Sequence, residues 1–182
     1  MTAAPRRWAA EMLHVWFHRL GPADWYGGGA AVDDLLRRRF VCDWQALRHR
    51  PAGEFLRDPL TAQAAILLFD QVPRNLFRGQ ARAFASDPLA RTIARRVIAR
   101  RWDLRLPERQ RAFIAMPLMH SEDIADQRAS LAYFAQSPKQ RGFACNHYRM
   151  IARFGRFPHR NTALGRESTP AEKRAVAAGY AW

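Results

Sequence analysis

The chain has 182 residues, 48% of them hydrophobic and 25% charged, the balance of a soluble globular protein and not of a disordered one. Its longest purely apolar run, residues 64–69 (AAILLF), is far short of the roughly 20 residues a membrane span requires. The formal charge of +14 comes from 28 arginines against two lysines, Lys139 and Lys173. Beside abundant alanine, that bias is what a GC-rich coding sequence produces whatever the function, so the charge alone does not indicate nucleic acid.

A chain of this length buries enough surface to need no disulfide or metal staple, and a single domain over residues 1–182 is expected. Cys42 and Cys145 are isolated thiols without CxxC spacing, which fits a reducing, cytoplasmic setting and gives no metal signature. Glu11 and His14 interrupt the N-terminal segment before an apolar signal region can form, so an ordinary first helix is expected there.

No segment shows sustained period-2 alternation or a Val/Ile/Thr-rich run between turn signals, so the fold class is all-α. The first helix is expected from near Pro5, with Trp8, Met12, Val15 and Trp16 on one stripe, ending before Gly21-Pro22. The segment DWYGGGAA reads as a loop whose glycines lack the lysine and spacing of a phosphate-binding loop. Helices are expected at about 31–40 and 43–49, then from Pro59 through LTAQAAILLFDQ. Asp87-Pro88 opens a helix with Leu89, Ile93, Val97, Ala94 and Ile98 inward. Pro107 opens another, and Ser121 caps the next with Glu122 and Asp123 in its first turn. A further helix over about 139–154 should stop at Gly155. Thr169-Pro170-Ala171-Glu172 is a capping box for the last. This makes about eight or nine short helices, packed as antiparallel hairpins.

Three polar segments break the helical pattern. In the first, LLFDQVPRNLFRG (67–79), Pro73 removes a backbone donor and should kink or stop the helix. Asp70 then sits at a helix C-terminus, where the dipole disfavours an anion, so Arg74 or Arg78 should compensate it. Gln71 and Asn75 belong to the same turn. In the second, MPLMHSEDIADQ (116–127), His120 lies beside Glu122 and Asp126, whose i, i+4 spacing places both on one helix face, and Gln127 follows. A histidine beside two carboxylates suits acid–base work or a helix cap; the spacing fits no HExxH site, and neither a metal nor a cofactor is expected. The third, NHYRMIARFGRFPHRNTALGR, carries His147, Arg149, Arg153, Arg156, His159, Arg160, Asn161 and Arg166. So many guanidiniums at one helix end repel unless carboxylates or an anionic ligand oppose them. His14 and His18 are i, i+4 on the first helix, but no third ligand accompanies them. The echo of VPRN in FPHRN matches no repeat period.

These segments resemble the signature of an uncharacterised bacterial family, domain of unknown function 924. Its pattern is similar to DQxPRNxxRG, PxMHSExxxDQ and HxxxIxRFGRFPHRNxxLGRxST, here Asp70–Gly79, Pro117–Gln127 and His147–Thr169. The WY pair at 25–26 and Phe40 fit as well, while the C-terminal AGYAW is shorter than the family's usual apolar turn and leaves the last helix open. The resemblance implies an all-helical, tetratricopeptide-like fold and supplies no activity.

Three readings follow from the residues. In the first, the polar segments converge on a pocket for a small anionic, phosphorylated or carboxylate-bearing ligand. Asp70, Gln71, Arg74, Asn75, Arg78, Asp126, Gln127, His147, Arg153, Arg156, Arg160 and Asn161 would bind it. His120 or His159 would serve as acid–base there, with Glu122 as orienter. In the second, the same residues are ion-pair and capping networks within a helical scaffold for a protein partner. The third is nucleic-acid binding. No membrane association is expected.

Overall fold

The computed structural model describes residues 7–180, all of whose regular elements are helical, with no strand among them. The expected start at Pro5 lies outside the described residues. The chain divides into two compact units. The first runs through Arg78 and resumes over Arg82–Pro117; the second takes Gly79–Ala81 and the chain from Leu118 on. No described helix is long and apolar enough to cross a membrane.

In the first unit α1 (Arg7–His14) runs into a wider π turn over Val15–Arg19, closed by the Leu20 N–H donating to the Val15 carbonyl at 3.0 Å. The extra residue in that turn lets three consecutive side chains, Val15, Trp16 and Phe17, all face inward. The segment expected as a loop instead begins with a short helix, α2 (Pro22–Gly27), because Pro22 pre-sets its first turn and Asp24 accepts the Gly21 N–H at 2.9 Å. Gly28 and Gly29 follow at φ 64° and 132°. A Cβ on Gly28 would lie 2.4 Å from Arg78 Nη2 and would displace the end of that side chain, but what requires glycine in this turn is its φ.

Where two helices were expected, α3 (Ala30–Leu47) is continuous. Nothing at residues 41–42 breaks it, and Leu36, Phe40 and Trp44 form one buried stripe across the expected gap. α4 (Pro59–Ile66) starts on Asp58, which accepts the Thr61 N–H at 3.0 Å. Residues 61–73 are buried without exception, so beyond its first turn the chain meets protein on every side, and its polar members Thr61, Gln63, Asp70 and Gln71 are buried with the apolar ones.

Pro73 does not end it. The chain widens into a π turn over Leu67–Gln71 and continues as α5 (Val72–Leu76), with the Val72 N–H donating to the Leu67 carbonyl. The proline leaves the Phe69 carbonyl without its usual donor four residues on. Ser86 Oγ donates to that carbonyl at 2.7 Å and accepts from Trp44 Nε1 at 2.9 Å. A buried relay thus replaces the lost helical bond. α6 (Asp87–Ala99) follows, burying Ala90, Ile93, Ala94 and Val97, with Leu89 and Ile98 half-buried. α7 (Glu108–Met119) then carries the chain into the second unit.

The second unit contains α8 (Ile124–Tyr133), α9 (Pro138–Phe154) and α10 (Pro170–Ala177). The cap of α8 is Asp123 and not Ser121. Asp123 Oδ1 accepts the Ala125 N–H at 2.8 Å, while Ser121 Oγ, two residues earlier, accepts from the Asp123 N–H. α9 stops as expected at Gly155, in the left-handed conformation. The capping box of α10 is complete: the Thr169 N–H donates to Glu172 Oε2 at 2.7 Å, and the Glu172 N–H to Thr169 Oγ1 at 3.3 Å. The helix left open by the short C-terminus therefore forms. Met150, Ile151, Phe157 and Ala175 make the core on which α9 and α10 meet, with Ile124, Phe154 and Tyr180 against it.

Candidate functional site

The first polar segment is built into the first unit. Asp70 is fully buried. Gln71 Nε2 donates to its Oδ2 at 2.5 Å, and Arg74 Nη1 donates to its carbonyl and lies 3.4 Å from its Oδ1. Arg74 also grips Asp87 with both terminal nitrogens at 2.9 Å. The compensating cation for Asp70 is therefore Arg74, one guanidinium shared between two carboxylates. Arg78 serves another. Its Nε and Nη2 donate to Asp33 on α3 at 2.7 and 2.9 Å, and Asn75 Nδ2 joins at 2.8 Å. Burial alone would raise the Asp33 pKa, but the Arg78 and Asn75 hydrogen bonds outweigh it and hold this carboxyl below the ordinary range.

The second and third segments come together within the second unit. Gln127 is fully buried, and its Nε2 donates to the Met119 and Ser121 carbonyls at 2.7 Å each. It closes off the carbonyls at the end of α7. Glu122 precedes the α8 cap, so it does not share a helical face with the buried Asp126 as the i, i+4 spacing suggested. Its carboxylate accepts from Arg166 Nη1 and Nη2 at 2.8 and 2.9 Å and from the Phe157 N–H at 2.8 Å. Burial pushes the Glu122 pKa up, but Arg166 and the Phe157 N–H together bring it below the ordinary value. Arg156 Nε and Nη2 donate to the two oxygens of Glu172 at 2.7 and 3.0 Å, and Nη2 also to the Glu167 carbonyl at 2.8 Å. Hydrogen bonds from Arg156 first, and then from the Thr169 N–H, lower the Glu172 pKa to about 2.

Phe157 is the hub of a histidine group. The His147 ring meets it edge-on at 5.4 Å, His159 lies at 5.6 Å, and Arg160 lies over its face at 4.5 Å. His120 is 6.1 Å from His147. His147 Nδ1 bonds the Phe143 carbonyl at 2.8 Å, which places a proton on that nitrogen. Burial lowers the His147 pKa to about 3, helped by the neighbouring charges of His120, Arg160 and His159. Asn161, fully buried, donates from Nδ2 to Ser168 Oγ at 3.0 Å. His120 and His159 are half-exposed.

A groove of about 630 Å³ runs along α9 and α10 in the same unit, and Arg149, Arg153 and Arg174 line it. Of the site residues expected from sequence, Arg153 alone lies here, where its guanidinium rests over Phe154 at 5.0 Å. Sequence reading missed Arg174, Tyr148 and Tyr180. It also missed that Glu172, recognised only as a cap, is the partner of Arg156. Nothing in the linear pattern marks Arg174 as facing Arg153; only the packing of α10 on α9 does. No group of three His, Cys, Asp or Glu side chains suited to a metal occurs among the described residues.

Fold and motif geometry together define an all-helical protein whose polar signature segments are held by arginine–carboxylate forks and buried amide caps. The chain belongs to the family described as bacterial protein of unknown function (DUF924), whose pattern it matches over residues 12–179. It is similar to the solved structure of the protein of unknown function ATU0120 from Agrobacterium tumefaciens. Identity is 37% and the TM-score 0.88, over 94% of this chain and 97% of that one. No curated protein matches it.

Proposed function

We propose that the second unit binds a small organic anion in the α9–α10 groove. The observation that carries this reading is a contrast in pairing. Arg149, Arg153 and Arg174 line one groove, no carboxylate lines it with them, and none of the three has an ion pair among the described residues. Three guanidiniums in one concavity repel each other, and an anionic ligand relieves that repulsion while filling their hydrogen-bonding forks. The volume falls within the roughly 300–1,000 Å³ typical of sites for small organic molecules.

A second reading, that the signature segments are structural networks, is favoured for most of the residues first assigned to a ligand. Arg74, Arg78 and Arg156 all have carboxylate partners. The two readings are compatible, because they concern different arginines. An acid–base role for His120 or His159, with Glu122 as orienter, belongs to the catalytic extension of the first reading. It is weakened by the full engagement of Glu122 with Arg166 and Phe157.

Isothermal titration with sodium pyrophosphate at low salt tests the anion site. We expect saturable binding that weakens at least tenfold in the double variant Arg153→Ala, Arg174→Ala, because both forks are lost. Absence of saturable binding by the unsubstituted protein at millimolar pyrophosphate would sink the reading.

A further inference from the structure

The groove also carries information about the rest of its ligand. Resting on the anion-binding reading, we infer that the ligand is a flat aromatic or heteroaromatic ring bearing a phosphate, the chemistry shared by aryl phosphates and nucleoside phosphates. The argument is one of matching donors, acceptors and shape.

Apart from the arginines, the groove is lined by Tyr148 and Tyr180 and by small or apolar side chains, among them Ala152, Ala171, Ala175 and Ala178. No Asp, Glu, Asn, Gln, Ser or Thr is among them. The lining side chains are therefore donors in the main, with only the two phenol oxygens among them able to accept. Phosphate oxygens are acceptors only, and here they meet donors. The four alanines contribute only methyl side chains to the lining. A flat ring can lie across such short side chains in contact over its whole face, which a compact anion cannot do.

Aromatic and guanidinium planes complete the match. A ring seated here can stack on a tyrosine or lie under an arginine fork, and both contacts depend on flatness and not on the identity of the ring. The groove is also larger than a phosphate alone requires. Bare inorganic phosphate would make no use of the alanine surface or of the tyrosine rings.

The test is a set of titrations on the full chain with phenyl phosphate, adenosine 5′-monophosphate, ribose 5-phosphate and inorganic phosphate. We expect the two ring-bearing compounds to bind at least tenfold more tightly than the two without an aromatic ring. Tyr148→Ala, alone or with Tyr180→Ala, should reduce that preference while leaving the affinity for inorganic phosphate within about twofold. Circular dichroism checks the fold of each variant, and the single variant stands on its own because Tyr180 packs partly on the core of the unit. A tighter complex with adenosine 5′-monophosphate than with phenyl phosphate would identify the nucleoside source, and the reverse a simpler aryl source. Ribose 5-phosphate binding as tightly as phenyl phosphate, or a ring preference untouched by the tyrosine substitutions, overturns the inference and leaves the anion site standing. Failure of all four phosphates, like failure of pyrophosphate, overturns both.

Discussion

Arginine appears in this protein in two settings. In the turn that follows α4, Arg74 holds a buried Asp70 and a half-buried Asp87 together, and Arg78 is locked on Asp33. In the α9–α10 groove, Arg149, Arg153 and Arg174 share a concavity with no carboxylate. Sequence composition treats these arginines alike, and all contribute equally to the net charge. Geometry separates them by one criterion, whether a carboxylate lies within reach of the fork. An arginine with such a partner has its hydrogen-bonding capacity used by the fold, and one without keeps it available for a ligand. That distinction moves the candidate site away from most of the signature motifs and toward residues the motifs do not emphasise.

The largest effect should follow from breaking the locked setting. Arg74→Ala takes the guanidinium away from the fully buried Asp70 carboxylate and removes the same fork from Asp87. Removing one partner of a buried pair costs about 3–5 kcal/mol, since the remaining charge is stranded in a poorly solvating interior. Urea denaturation should show a loss of that size. A loss under about 1 kcal/mol, the range of exposed pairs, would place Arg74 in the same class as the groove arginines and dissolve the contrast.

How much of this was legible in the sequence depends on the range of the interaction. Local signals gave the all-helical class, the Pro59 start, the Gly155 stop and the Thr169–Glu172 capping box, because each rests on residues within one helical turn. The continuity of α3 was not legible, and at Pro73 the sequence left a kink and a stop both open. The proline signal there is real, but Ser86, thirteen residues on, supplies the donor that Pro73 removes, and no local rule sees it. The same holds for the site. Arg74 compensating Asp70 could be inferred at i, i+4, whereas Arg78 with Asp33 and Arg166 with Glu122 are contacts far apart in sequence. Glu122 and Asp126 looked coaxial because a helix was assumed to begin at Ser121; with Asp123 as the cap, Glu122 stands outside it.

The histidine group offers a graded version of the contrast, read through pH. The groups that face His147 electrostatically are the half-exposed His120 before α8 and His159 after α9, the buried Arg160, and the Phe143 carbonyl on its own helix. Its pKa is lowered from 6.5 to about 3 in the folded chain. Between those values the unfolded chain takes up a proton that the folded chain does not, so stability is retained above pH 6.5 and falls as the pH drops toward 3. The slope contributed by one such group is about 1.4 kcal/mol per pH unit. Glu172, lowered to about 2, acts in the same direction but only below the ordinary carboxylate range near pH 4.5. Denaturation at pH 7, 6 and 5 therefore keeps the Glu172 contribution out of the comparison. His147→Gln should flatten the dependence in that window. An unchanged slope in the variant would show that another group titrates there.

The smallest effect on stability is expected in the groove. Arg174 lies exposed in the last turn of α10, without an ion pair. Its favourable contribution to the fold is the interaction of a cation with the helix C-terminus, worth a few tenths of a kcal/mol at an exposed position. Arg174→Ala should accordingly leave stability within about 0.5 kcal/mol. In a chain of this size that moves the thermal midpoint by no more than about 2 °C. Measured beside Arg74→Ala, this variant tests the criterion and not merely the residue. If pairing decides what an arginine is for, the substitution that barely moves the melting curve must be the one that weakens the bound anion. A melting-point loss like that of the Arg74 variant would mean that the groove arginines also belong to the fold, and the availability argued for them would be gone.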